Sequence, residues 1–322
     1  MELVHVSSPR TLISVIICTR NRAGDLKESL ESFRGVALPG CQDVELVLVN
    51  NGSIDQTAEI IASYDCEGIS VRPVHEPQTG KGNAYNAGLA AARGSVFLFA
   101  DDDIRFPRHW LAEMSAPILA GEADAVAGGV RMAAHLERPW MKSTHRLWMA
   151  ETDSLSPSNF DMIGANMSFA SHVLSKVPAF DPELGPGATG LGEDTLFSSQ
   201  LVKAGYRVKL LQDVLVEHHF HPGRLTRAAF LSRAEAMGRS LGYIAYHWSH
   251  KTIRFPGLRF IKSRIRLELY RKLHKQVDLH CEGADMAELE RFSGFHFYRQ
   301  FLREQRRPRN YEPFGLVKRK VN

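Results

Sequence analysis

The chain has 322 residues, 44% hydrophobic and 24% charged, with a formal net charge of +4. That composition is ordinary for a soluble globular protein and leaves aside the disordered and fibrous classes, and its length allows one large α/β core with further elements. The slight cationic excess admits an anionic substrate or surface and gives no ground for a nucleic-acid partner.

Cys18, Cys41, Cys66 and Cys281 are too far apart for a zinc knuckle or a redox pair, so a reduced, cytoplasmic chain is expected. The opening "MELVHVSSPRTL" lacks the order of a signal peptide. No apolar run reaches the roughly 20 residues of a spanning helix, so any membrane contact is expected to be peripheral.

Over the first 130 residues, short β-branched runs alternate with stretches of helical spacing. "LISVIICT" precedes "RAGDLKESLESF", with Leu26, Leu30 and Phe33 on one face. "VELVLVN" precedes "DQTAEIIASY", "ISVRPVHE" precedes "GNAYNAGLAAARG", "SVFLFA" precedes "HWLAEMSAPILAG", and "ADAVAGGV" follows. This alternation predicts an open, mostly parallel sheet with helices on both faces, whose ligands bind at the carboxyl ends of the strands. Residues 129–160 are irregular and rich in Trp, His and Pro, which predicts a loop-rich insertion beside the cleft. Then come a strand and short helix in "MIGANMSFASHVLSKV", a glycine-rich loop leading to a helix near Glu193, and a strand pair in "YRVKLLQDVLVEHHF". Residues 225–248 and 258–276 have the pattern of long amphipathic helices rich in Arg and Lys.

Three polar clusters carry candidate chemistry. Asp101, Asp102 and Asp103 follow an apolar strand. Adjacent carboxylates repel, so they form either a solvated turn or the surroundings of a hard cation such as Mg²⁺ or Mn²⁺; strand alternation would aim Asp101 and Asp103 together and Asp102 away. Glu193 and Asp194 stand where a helix begins, as first-turn acids or as a general base. His218, His219 and His221 crowd four positions, and on a continuing strand His219 and His221 would share a face and reach one ligand. Arg20, Arg22, Lys81, Arg224 and Arg227 fall at loops or element ends, where a nucleoside diphosphate would reward cations.

In order and spacing, "SVIICTRNR", "LVLVNNGSIDQT", "GKGNAYNAGLAAARG", "FLFADDDI", "GANMSF", "GEDTLFSSQLVKAGY" and "HHFHPGRLT" resemble the family 2 glycosyltransferases of GT-A fold. The resemblance implies inverting transfer of a sugar from a UDP-sugar to a hydroxyl of a glycan or lipid-linked glycan, with Mn²⁺ or Mg²⁺ as cofactor. It implies that Thr19, Arg20, Asn21 and Arg22, with Asn50, Asn51 and Ser53, flank the nucleotide. Lys81, Asn86, Asp101 and Asp102 would complete the donor site. Asp101 and Asp103 match the Asp-x-Asp motif, whose last Asp holds the metal, with His219 and His221 as further ligands. Asp194, with Glu193 beside it, matches the base, and Asn166, His218 and Arg224 would contact acceptor or diphosphate. The implied division is a catalytic domain over 1–224, with a nucleotide-sugar half at 1–130 and an acceptor half at 131–224, followed by a basic helical extension over 225–322.

Two departures from the family pattern involve three residues. Asn50 and Asn51 stand where relatives often carry an Asp, and Tyr85 replaces an Arg before Asn86, with Lys81 available as a substitute cation. The competing readings are a nucleotidyltransferase and a non-catalytic peripheral protein with a degenerate transferase domain; an oligomer is open. The basic segment from Lys251 to Lys275, interleaved with Ile261, Ile265, Leu267, Leu269 and Leu273, either adsorbs to anionic lipid or packs on the catalytic domain with a solvated face.

Overall fold

The structure is a computed structural model that describes residues 11–40, 42–152, 162–274 and 278–319. The expected absence of a leader at the N-terminus, Cys41, positions 153–160 of the insertion and the end of the basic segment at Lys275 and Gln276 lie outside these residues. Among the described cysteines, Cys18, Cys66 and Cys281 are free.

The strands are β1 (Thr11–Thr19), β2 (Gln42–Asn50), β3 (Ser70–His75), β4 (Val96–Asp101), β5 (Ile104–Arg105), β6 (Ala125–Met132), β7 (Asn166–Ala170) and β8 (Val208–His218). They form one sheet in the order β3-β2-β1-β4-β7-β6-β8-β5. The β1 to β4 half is parallel, as the alternation of runs predicts. The other half is mixed: β7 runs antiparallel to β4 and β6, β8 is parallel to β6, and β5 is antiparallel to β8.

Helices cover both faces. α1 (Ala23–Arg34), α2 (Thr57–Ser63) and α4 (Trp110–Leu119) bury Leu26, Leu30, Phe33, Ile61 and Trp110 against one face. α3 (Lys81–Ala91) and α6 (Glu193–Lys203) bury Tyr85, Leu89, Phe197 and Leu201 against the other. α5 (Ser143–Trp148) lies in the insertion. The second face is an aromatic layer in which Phe180 stacks on Phe197 at 4.2 Å and Tyr85 meets Phe99 edge-on at 4.8 Å. Such pairs contribute about 0.5–1.5 kcal/mol each beyond the area they bury.

Two expectations are corrected. The strand pair expected in 206–220 is one long strand, β8, whose register on β6 slips between Gly128 and Gly129. Asn166, expected at the ligand, is fully buried beside that slip. Its Nδ2 donates to the carbonyls of Gly129 and Val214, both at 2.8 Å, and its Oδ1 accepts from Trp110 Nε1 at 2.8 Å. An irregular ladder strands carbonyls, and a core amide satisfies them.

The C-terminal region is α7 (Arg227–His247), α8 (Pro256–Leu273) and α9 (Met286–Glu304). α7 crosses α9 at two glycines, where a Cβ on Gly238 would come within 2.2 Å of the Ser293 carbonyl and one on Gly242 within 2.7 Å of the Phe297 carbonyl. The tail after α9 returns to the loop before α6. There the buried Asp181 accepts from Tyr243 Oη at 2.7 Å and Tyr311 Oη at 2.8 Å and pairs with Lys318 at 2.5 Å. Glu183 pairs with Arg307 and Lys318, both at 2.8 Å.

Candidate active site

The carboxyl ends of β1, β2 and β4 converge on a cleft of about 460 Å³, closed by the loop before α6, by the end of β8 and by α7. Two strand-end loops interlock at its edge. Asn21, at φ +52°, donates its N–H to Ser53 Oγ at 3.0 Å, while its Oδ1 accepts from Ile54 N at 2.8 Å. Asn50 Oδ1 accepts from Ser53 N, and Asn51 ties down the next loop through the Glu76 and Gln78 carbonyls and the Gly80 N–H. Asn21, Asn50 and Ser53 thus act on the loops, whereas Thr19, Arg20, Arg22 and Asn51 line the cleft. Asn86 is turned away: its side chain makes a pair of 2.9 Å bonds with the Phe180 backbone.

The three aspartates divide differently from strand alternation. β4 ends at Asp101, and Asp102 and Asp103 form a turn before β5. Asp101 pairs with Lys81 at 2.7 Å. Asp102 and Asp103 both receive Arg22 Nη1, at 2.9 and 2.8 Å. It is therefore Asp102 and Asp103, not Asp101 and Asp103, that face one partner. Burial pushes the Asp102 carboxyl up to about 6 against the pull of Arg22. Burial also opposes ionisation of Asp103, but His218, Arg22 and Arg224 outweigh it and hold this carboxyl well below the usual range.

The histidine that meets Asp103 is His218. β5 pairs Ile104 with His218, which sets His218 Nε2 3.3 Å from Asp103 Oδ1, and Arg224 Nη1 lies 3.6 Å from Oδ2. His219 pairs with Glu217 at 2.8 Å, and His221 accepts from Gly223 N at 3.0 Å. The expected shared face of His219 and His221 fails because β8 ends at His218 and alternation stops there.

The residues fit a divalent cation. A carbonyl only accepts, so His218 Nδ1, 3.1 Å from the Met149 carbonyl, carries a proton, and Nε2 is the ring nitrogen turned toward Asp103, 3.3 Å from Oδ1. Asp103 Oδ1 is buried without a completed hydrogen bond. One carboxylate oxygen and one imidazole suit Mn²⁺ or Mg²⁺, with phosphate and water completing the shell. Among the described residues no three His, Cys, Asp or Glu groups form a cage on their own.

Also in the lining, Gly192 at φ +87° turns the chain into α6, a backbone that a side chain would strain. Glu193 is buried, and burial with its neighbour Asp194 pushes its carboxyl up to about 8 despite Lys81 at 3.9 Å. Asp194 is partly open to the cleft, with Oδ2 accepting from Gly164 N at 3.0 Å and Oδ1 from Thr195 N at 2.8 Å. Burial works against the charge of Lys81, but Asp101, Glu193 and Asp194 hold it well above an ordinary lysine.

The sequence reading missed Arg233. This α7 residue lines the cleft with a buried Nε that has no partner, and burial together with Arg224 pushes its guanidinium down to about 10. Met237, Leu241 and Ile244 of α7 and Leu147 and Ala150 of the insertion share the wall, so the cleft runs across the boundary set at 224/225. An arginine in an amphipathic helix carries no local signal; only the fold shows that it is turned inward. Arg227, expected among the ligand-facing cations, instead pairs with Glu288 at 2.8 Å.

Against known families, residues 14–177 match Glycosyl transferase family 2. An uncharacterized glycosyltransferase of Nostoc is 35% identical over 100 residues, which are 31% of this chain and only 30% of that relative. Glycosyltransferase AglE of Haloferax volcanii is 25% identical over 233 residues, 70% of this chain and 73% of the relative. Among solved structures, the mannosyltransferase PcManGT from Pyrobaculum calidifontis, in complex with GDP-Man and Mn²⁺, superposes with a TM-score of 0.58 at 17% identity over 91% of this chain and 87% of its own. TarS 1-349 of S. aureus in complex with UDP superposes with a TM-score of 0.51 at 17% identity over 91% of each chain. These structural likenesses are of fold, the GT-A type.

Proposed function

Since the chain belongs to glycosyl transferase family 2, we propose that it transfers a sugar from a UDP-sugar to a hydroxyl of a glycan, free or lipid-linked, with inversion at the anomeric carbon. The observation that carries this reading is the pairing of walls in one cleft. Asp103, His218, Arg22 and Arg224 lie together in one corner, and the partly open carboxylate of Asp194 lines the same cleft from α6. The two fold neighbours, solved with GDP-Man and Mn²⁺ and with UDP, support a nucleoside-diphosphate sugar as the donor.

The base of the cleft, Thr19 with Arg20 and Asn51, takes the nucleotide, and Lys81, Arg22, Arg224 and Arg233 orient the diphosphate. Asp103 and His218 are the residues to hold Mn²⁺ or Mg²⁺. When bound, the cation supplies Lewis-acid neutralisation of the charge that develops on the departing β-phosphate. Asp194 accepts the proton of the acceptor hydroxyl as that oxygen forms its bond to the anomeric carbon; the bond from that carbon to the diphosphate oxygen breaks on the opposite face, and the electron pair leaves with UDP. One carboxylate suffices for a single displacement. Glu193 is buried, with its carboxyl raised to about 8 by that burial and by Asp194, and offers no open side to an acceptor, which leaves Asp194 as the base.

In this reading residues 1–224 bind donor and acceptor, and the extension beyond them contributes α7 as a wall. The cellular setting is synthesis of surface polysaccharide or glycolipid on the cytoplasmic side.

The test is thermal stabilisation and transfer across a panel of nucleotide sugars with Mn²⁺. UDP with Mn²⁺ stabilises the protein, Asp103→Ala abolishes that stabilisation, and Asp194→Asn keeps it while losing transfer. No stabilisation by any nucleotide, or normal transfer by Asp194→Asn, overturns the reading.

A further inference from the structure

α8 uses only one side of its surface for the fold. Leu267 is buried, Phe260 stacks on Phe295 of α9 at 5.2 Å, and Arg271 reaches Glu288 at 2.8 Å. On the opposite side Leu258, Ile261, Ile265, Leu269 and Leu273 recur every three or four residues, the spacing of a single helical face, and every one of them is exposed. Phe255, which begins the helix at φ +53°, continues this stripe with 61% of its surface open. Its ring meets the Arg254 guanidinium at 5.0 Å and is otherwise open, so the left-handed backbone sets the ring outward beside a cation.

Cations border the stripe. A pocket of about 520 Å³ between α8 and α9 is lined by Arg254, Arg259, Lys262, Arg266 and Arg291, with no carboxylate in its wall. The lone acid of α8, Glu268, is taken by Arg264 at 2.8 Å. Among the described residues, none of those five cations makes an ion pair.

We propose that this face of α8 docks on an anionic lipid bilayer, with the aliphatic stripe and Phe255 at the boundary of headgroups and acyl chains and the basic pocket on lipid phosphates. The occupant must satisfy two demands at once. A polyanion such as nucleic acid would neutralise the cations and leave the stripe in water. A second copy meeting this face symmetrically would cover the stripe and oppose like charges. A bilayer with anionic headgroups meets both demands, with the long basic side chains reaching back to the phosphates. No helix among the described residues is long and apolar enough to cross a membrane, so the contact lies in the plane of the surface. The proposal needs neither donor nor acceptor, and so stands or falls apart from the transferase reading.

The experiment is co-sedimentation of the full chain with vesicles of phosphatidylcholine, with and without phosphatidylglycerol, over a salt series. Retention is expected on the anionic vesicles only and declines with salt. The variant Ile261→Ser/Ile265→Ser/Leu269→Ser loses retention. Arg259→Glu/Lys262→Glu/Arg266→Glu weakens partitioning roughly 100-fold or more. All six positions are exposed, so both variants keep the parent melting temperature and sugar transfer to a soluble acceptor. Equal retention on neutral vesicles, no retention on anionic vesicles at low salt, or a dimer in light scattering that the serine variant disperses each overturns the proposal, the last in favour of a second copy.

Discussion

The sheet half and the helical half of this protein are ordered by different means. From β1 to β4, parallel pairing of apolar strands fixes the frame, and polar residues collect where the strands end. From α7 onward, backbone contact at Gly238 and Gly242 and a buried charge network around Asp181 do the ordering. The first scheme is carried by strands that local apolar runs mark in the sequence and the second by single contacts that no local run marks, yet the cleft takes a wall from each.

Substitutions in the two halves therefore separate chemistry from assembly. The largest expected effect is Asp194→Asn, which lowers kcat by about 10²–10⁴-fold at unchanged melting temperature in a transfer assay. Next is Asp181→Ala, which leaves two buried tyrosine hydroxyls without their acceptor and Lys318 with Glu183 alone. It costs about 3–5 kcal/mol in denaturant unfolding, and loses transfer only through the fold. Gly238→Val forces α7 from α9 and costs about 1–3 kcal/mol, read the same way.

Acidification probes the same network. Burial raises the Glu183 carboxyl, but Arg307 and Lys318 outweigh it and bring it down to about 2 from 4.5. A depressed folded value gives stability that is full above about pH 4.5 and is lost as pH falls toward 2, on the order of 2 kcal/mol after screening at this half-buried site. Unfolding of Glu183→Gln should lose that part of the slope; an unchanged slope removes Glu183 from the network. The smallest effect is Arg233→Gln, which raises KM for the donor about 10-fold, the loss of one charged hydrogen bond, with little change in kcat. An unchanged KM would leave Arg233 without a part in donor binding.

Much of the first half was readable because β-branched runs and helical spacing are local signals. Asp101, Asp102 and Asp103 were found for that reason, but their grouping was not. A two-residue strand, β5, turns Asp103 toward His218, and nothing in "DDDIRF" marks so short an element. Asn166 was misread because a polar residue in an apolar run has the same appearance whether it faces a ligand or a broken ladder. Arg233 was invisible for the converse reason, since an inward arginine is distinguished only by what surrounds it. α9, the partner that makes sense of both glycines of α7, was not separated from the helical extension.

The tail that reaches Asp181 sets an order on the making of the protein. Lys318 lies 137 residues downstream of the carboxylate it neutralises, on the loop that leads into Glu193 and Asp194. During synthesis that carboxylate lacks its lysine counter-ion until residue 318 has emerged. A chain cut short of Lys318 therefore carries every residue of the cleft but lacks the ion pair that anchors the loop before its base.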